Sequence, residues 1–343
     1  MGNYPTHMLA EIHEIPEAIS RILQDPDGVL THAASALKSK NPSLIMTIAR
    51  GSSDHAATFL KYAIEIVAGV PVASLGPSIA SIYGVNLDLN NAATISISQS
   101  GASPDIVAAT KMASASNGLT IALTNQKKSA LGDVADNAIN MLAGPELSVA
   151  ATKSFVSSIV TGLMLLADWQ DDEPLKRALI ALPNHIKQAL ECEWTGLNEA
   201  LEPEGSLFVL GRGPSWAIAN EVALKFKETC GIHAEAYSAA EVMHGPMALV
   251  ETGFPLLTLC ARDAAHQSCI ASSEKLASNG AAAFITAKGV TKSKSLEFIA
   301  TGHPLTDALC LVIPFYIFVE SYARELGLNP DQPPLLRKVT HTK

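Results

Sequence analysis

The chain has 343 residues, 48% of them hydrophobic and 5% aromatic, and carries a formal net charge of −9. At about 100–200 residues per domain this length predicts two domains, and the apolar share excludes a disordered chain. The acidic balance, with no block of lysine or arginine, argues against nucleic acid as a partner. A small anionic substrate remains compatible with it, because local amides and hydroxyls can overcome a weak global field.

Ile12, Ile15, Ile19, Ile22 and Leu23 recur at three- and four-residue spacing. The segment 8–37 is therefore expected to be helical, with Pro26 starting a second helix after Asp25. An apolar run at 44–49 reads as a strand, ends at Arg50-Gly51-Ser52-Ser53, and is followed by a helical pattern to about Val67. Strand-like runs recur at 72–75, 93–98, 119–123 and 138–142, with a clear helical stretch at 105–116. Strands alternating with helices imply an α/β fold with a parallel, doubly wound sheet of the flavodoxin-like kind. The region 150–200 reads as helical and is punctuated by Pro174 and Pro183.

The second half repeats the first. Arg50-Gly51 returns as Arg212-Gly213, and Ala115-Ser116-Asn117-Gly118 as Ala277-Ser278-Asn279-Gly280, both 162 residues downstream. A shared offset argues for a duplicated unit, the other reading being two unrelated α/β domains. The expected organisation is an N-terminal helical segment 1–40, a first domain 41–200 with a trailing helical linker, and a second domain 201–343 with a C-terminal tail. The apolar stretch 308–323 contains Pro314 and Glu320 and is short for a membrane span. It reads as a core strand running into a buried helix. No basic region precedes an apolar run at the N-terminus, so no signal peptide is expected. Five scattered cysteines without a CxxC pair suggest reduced, mostly buried thiols in a cytoplasmic protein.

The strongest motif is Ile97-Ser98-Gln99-Ser100-Gly101-Ala102-Ser103-Pro104-Asp105, placed between a strand and a helix. Ser103 suits an N-cap, Pro104 the first helical position and Gly101 a tight turn. Serine hydroxyls and free helix amides converging on one point make a phosphate cradle; the plainer reading is a polar strand-to-helix turn with a good cap. Gly51-Ser52-Ser53 occupies an equivalent turn and either completes the cradle or simply starts a helix. No dinucleotide or Walker motif is present: Trp216 stands where a GxGxxG run from Gly211 needs its third glycine.

At the 162-residue offset the second copy has Cys260-Ala261-Arg262-Asp263 in place of Ser98–Gly101, so the two copies divide their tasks. Glu221, Lys225 and Glu228 fall on one helical face. On spacing alone they read as a solvated, salt-bridged face. His233, Glu235, Glu241 and His244 follow closely, but a lone ExxH without HExxH is a poor metal signature. No GxSxG elbow supports a serine hydrolase.

These motifs resemble the sugar-isomerase (SIS) domain family, and within it the isomerase half of glucosamine-6-phosphate synthase. The likeness rests on Met8-Leu9-Ala10-Glu11-Ile12 with Pro16, Ser98-Gln99-Ser100-Gly101, Ala150-Ala151-Thr152-Lys153-Ser154-Phe155, Leu210-Gly211-Arg212-Gly213, His233-Ala234-Glu235-Ala236-Tyr237, Glu241 to Pro246, and Asp331-Gln332-Pro333. It covers nearly the whole chain and implies two tandem SIS domains. It further implies that Ser98, Gln99, Ser100, Gly101 and Ser103, with Ser52 and Ser53, hold a sugar 6-phosphate. Gly51, Val149 and Ala151 would line the sugar. Glu228 would move a proton between C1 and C2 beside Lys225 and Glu221. His244 would assist ring opening from across a homodimer interface. Lys338, which alone reads as a solvated residue of a basic tail, would approach a Schiff base with a ketose.

The sequence departs from that pattern at Arg50, where the synthase has Cys, at Ala102, which replaces Glu, and at Ala151, which replaces Ser. It has no counterpart of the glutaminase domain with its cysteine nucleophile, so water is the abundant reactant. The resemblance therefore leads to an expected glucosamine-6-phosphate deaminase. A fructosamine-6-phosphate deglycase, another aldose–ketose isomerase and a non-enzymatic sugar-phosphate regulator remain alternatives. A phosphorylated sugar is the expected partner, with no nucleic acid, membrane, metal or organic cofactor.

Overall fold

The computed structural model describes residues 4–126, 128–202 and 205–338. Among them the chain forms two compact units. One contains 17–146, 153–180 and 337–338; the other contains 4–16, 147–152 and 181–336.

The chain opens with helices α1 (His7–His13), α2 (Ile15–Ile22) and α3 (Val29–Lys40). The second long helix thus starts three residues beyond Pro26. Asp25 explains the shift, because its carboxylate accepts from the amides of Leu30 and Thr31 and caps the helix from outside. Then follow β1 (Leu44–Ile48), α4 (Ser52–Val67), β2 (Val72–Ser74), the short α5 (Ser78–Ser81), β3 (Ala92–Ser98), α6 (Pro104–Ala115), β4 (Leu119–Thr124), α7 (Ala130–Val134) and β5 (Asn137–Asn140). The five strands are parallel in the order β2-β1-β3-β4-β5.

Every residue of β3 is buried, as a strand with helices on both faces requires. One face packs Met46, Ile48, Ile106, Ala109, Met112 and Leu131 beneath α5, α6 and α7. The other carries α3, α4 and α8 (Lys153–Trp169). Helix α8 is buried almost all round, which accounts for its lack of a polar face. The next helix, α9 (Glu173–Ala189), carries Pro183 in its interior rather than ending there.

The second unit repeats the pattern with β6 (Ser206–Gly211), α10 (Pro214–Cys230), β7 (His233–Ser238), β8 (Pro255–Thr258), α11 (His266–Ser278), β9 (Ala282–Ile285) and β10 (Lys294–Ser295). The strands are again parallel, ordered β10-β9-β8-β6-β7. Counted from the first strand of each copy, both sheets read 2-1-3-4-5, the flavodoxin-like order. The two Arg-Gly turns even share a backbone conformation. Gly51 has φ 57° and ψ −136°, and Gly213 has φ 61° and ψ −137°, a region essentially reserved for glycine.

The apolar stretch near the C-terminus is helical throughout, as α12 (Pro304–Cys310) and α13 (Val312–Glu325). The expected core strand is absent there. Pro304–Glu325 is long and apolar enough to cross a membrane, but 83% of its most apolar window is buried in the fold. It packs on α10, where Phe226 and Phe315 stand 5.1 Å apart. It is therefore a core helix. All five cysteines are buried and unpaired.

Candidate functional site

In a 2-1-3-4-5 sheet the chain reverses direction between the first and third strands, and ligands favour the crevice at their carboxyl ends. In the first sheet β1 and β3 are direct neighbours. The loops leaving them are Arg50-Gly51-Ser52-Ser53 and Gln99-Ser100-Gly101-Ala102-Ser103. Topology alone therefore brings together both serine loops singled out in the sequence.

The second loop is tightly built. Gly101 has φ 60°, and a Cβ there would sit 2.3 Å from the Ser129 hydroxyl and 2.8 Å from that of Thr124. Its amide donates to the Ser98 hydroxyl at 3.2 Å, and its carbonyl accepts from Leu131 at 2.9 Å. The loop is thus backed by α7 and must be glycine at this point. Ser103 is the N-cap of α6, with Pro104 in the first turn. Its hydroxyl makes no capping bond, which leaves it for a ligand. Arg50 reaches across from the first loop and donates from Nε to Asp105, a wholly buried carboxylate in the first turn of α6.

The same unit contains Lys338. Its ammonium donates to Glu146 at 2.8 Å, 192 residues away in sequence. This corrects the reading of a solvated lysine; the tail beyond it lies outside the described residues. Glu146 is buried and also accepts from the amide and hydroxyl of Ser154, at 2.9 and 2.6 Å. Burial pushes its carboxyl up, but the Lys338 charge and the Ser154 bonds outweigh that and hold it below the ordinary value. The turn leading to Glu146 is clamped. Leu142 sits at φ 47°, Arg21 donates to the carbonyls of Leu142 and Ala143, and Asn125 grips Ala143 and Gly144.

The other unit holds the acid–base candidates. Glu221 and Lys225 are completely buried on α10, whereas the Glu228 side chain is 21% exposed. Lys225 stands 3.4 Å from Glu221 and in direct contact with Glu228. Burial lowers the lysine's proton affinity, but the two carboxylates more than compensate and hold it above its usual value. The solvated face suggested by spacing is therefore a buried ion triad. Tyr316 of α13 donates to Glu221 at 3.4 Å. A carboxylate that keeps some contact with solvent beside a locked ammonium is chemically suited to moving a proton.

His244 lies exposed in a short 3₁₀ turn after β7. Val149 and Ala151 lie in the segment 147–152, which is tied down at several points. Leu147 and Ser148 donate to Glu11, and Val149 donates to the Asp331 carbonyl. Asp331 in turn caps α1 through the amides of His7 and Met8. The terminal motifs Met8–Ile12 and Asp331–Pro333 thus act as braces. Among the described residues no three His, Cys, Asp or Glu side chains group closely enough to hold a metal ion. Sequence reading missed Glu146 and Tyr316, and it quoted Asp105 in the loop motif without its pairing to Arg50. Glu146 carried a local sign, the Gly-Pro-Glu turn after a strand.

The SIS domain model matches residues 39–167 and 200–295. The chain belongs to the SIS-domain family. This SIS protein is 35% identical over 98% of its length to glutamine–fructose-6-phosphate aminotransferase (isomerizing) of Aquifex aeolicus. It spans 58% of that relative's length. Among solved structures it resembles a candidate phosphosugar isomerase from Silicibacter pomeroyi, at 49% identity and a TM-score of 0.92 over 95% of this chain and all of that one. It also resembles the C-terminal domain of glucosamine-fructose-6-phosphate aminotransferase from Francisella tularensis, at 26% identity and a TM-score of 0.84 over 96% and 99% of the two chains. The two parallel sheets are its tandem SIS domains.

Proposed function

We propose that this SIS protein is a cytoplasmic glucosamine-6-phosphate deaminase, converting glucosamine 6-phosphate and water to fructose 6-phosphate and ammonia. The observation that carries the reading is the division of chemistry between the two copies. One has a glycine-dependent serine loop at its topological switch point, and the other a Glu221–Lys225–Glu228 triad in which only Glu228 is partly exposed.

In this reading Ser98, Gln99, Ser100 and Ser103, with Ser52 and Ser53, hold the 6-phosphate and fix the open-chain sugar. Remote binding energy of this kind is what positions the reacting carbons. Glu228 takes the proton from C2 and returns it at C1, passing through an eneaminol to the C2 imine of the ketose. Water adds to that imine, and ammonia leaves. The Lys225 ammonium faces the charge that develops. His244 is exposed and available to a second copy, which supports a homodimer.

The test is to supply purified protein with glucosamine 6-phosphate and no added metal, and to measure both products. Equal release of ammonia and fructose 6-phosphate is expected. Isomerisation of a sugar phosphate without ammonia would replace this reading with a plain aldose–ketose isomerase.

A further inference from the structure

The most informative departure from the family pattern is Arg50. It leaves β1 directly before Gly51, its side chain is 47% exposed, and its Nε is bound by Asp105, which is fully buried. Asp105 belongs to the first turn of α6, and its other oxygen accepts the amide of Ile106. The aspartate is therefore fixed to the helix start that forms one wall of the serine loop. It holds the guanidinium at that helix start through Nε. A guanidinium held by Nε still presents the two terminal nitrogens that bind phosphate as a fork.

The second copy supplies a control. Arg212 stands at the matching place after β6, yet the residue matching Asp105 at the same 162-residue offset is Gln267. The residues matching the serine loop are Cys260 to Asp263. The anchoring carboxylate thus occurs only in the copy that has the serines. A purely structural tether between first-strand turn and helix would have no reason to follow the serines.

We propose that Arg50 is a further phosphate-binding residue of this protein, positioned by Asp105, and that it makes the site selective for phosphorylated over unphosphorylated sugars. The inference rests on the serine loop being the phosphate cradle, and not on the direction of the reaction. Arginine places charge on an ester already held by hydroxyls and amides, so its loss weakens binding more than turnover.

The experiment measures calorimetric affinity for glucosamine 6-phosphate and for inorganic phosphate, together with KM and kcat, in the wild type, Arg50→Gln, Arg50→Lys and Asp105→Asn. Arg50→Gln is expected to weaken both ligands and raise KM at least tenfold, with kcat within about threefold. Tenfold corresponds to about 1.4 kcal/mol. Arg50→Lys should fall between, since it keeps the charge without the fork. Asp105→Asn should lose less affinity than Arg50→Gln, because the guanidinium remains. Unchanged affinity in a folded Arg50→Gln protein overturns the proposal, as does a larger loss in Asp105→Asn than in Arg50→Gln. Wild-type protein that binds sugar phosphate but releases no ammonia overturns only the deaminase reading. Wild-type protein that binds neither ligand overturns both.

Discussion

The two copies of the unit share the conformation of the turn after their first strand, at Gly51 and Gly213, and differ in the loop after their third. After β3 the chain runs through Ser98, Ser100 and Ser103 around Gly101 at φ 60°. After β8 the matching stretch consumes its own polar groups. The Cys260 thiol lies 3.1 Å from His266 Nδ1, Asp263 accepts from the Ala265 amide at 2.8 Å, and Arg262 pairs with Asp307 and stacks on Phe298 at 4.3 Å. A duplicated α/β unit thus keeps its strand order in both copies, while the side chains after the third strand differ.

The strongest way to break this comparison is Glu228→Gln. If α10 supplies the base, turnover should fall by about 10²–10⁴-fold with an unchanged circular dichroism spectrum. Ammonia release at saturating substrate measures it, and full activity would remove α10 from the chemistry.

A sharper contrast pairs Gly101→Ala with Asp263→Ala at the equivalent position. The first forces a Cβ to within 2.3 Å of Ser129 Oγ at a positive φ. It should cost about 2–4 kcal/mol of stability and abolish sugar-phosphate binding. The second removes only a side-chain bond to the Ala265 amide and should cost about 1 kcal/mol while leaving affinity intact. Urea unfolding and calorimetry separate the two, and equal effects on binding would erase the asymmetry between the copies.

The smallest expected effect concerns Glu146. Its carboxyl lies below its ordinary value of 4.5 in the folded protein, so the unfolded chain takes up the proton first. The stabilisation is present above about pH 4.5 and is lost as pH falls through the folded value. Glu146→Gln should therefore be less stable than wild type by about 1–3 kcal/mol at pH 7. The gap should close as urea midpoints are followed from pH 5 to pH 3. A gap that widens would mean that Lys338 does not hold this carboxylate.

Much of the architecture was legible because it is local. A strand buried on both faces must be apolar along its length, and β1, β3 and β4 announce themselves that way. The turn after β3 needs glycine, a capping serine and proline in fixed order, so its residues were readable as a unit. Misreadings arose where a local cue met a tertiary partner. The Pro183 ring is tolerated inside α9. Pro314 likewise sits within α13, where a strand was expected to give way to helix.

The sequence by itself determined the α/β period, the duplication and the serine loop, since spacing, turn chemistry and a constant offset are properties of the chain. Only the tertiary structure decided what each charge does. Glu221, Lys225 and Glu228 share a helical face by spacing, but whether that face meets water or protein depends on α13, which arrives about ninety residues later and places Tyr316 against Glu221. Lys338 and Glu146 are 192 residues apart, and Asp331 is 324 and 323 residues from His7 and Met8. No local pattern encodes such pairs; a buried carboxylate finds its cation only when the fold brings the two together.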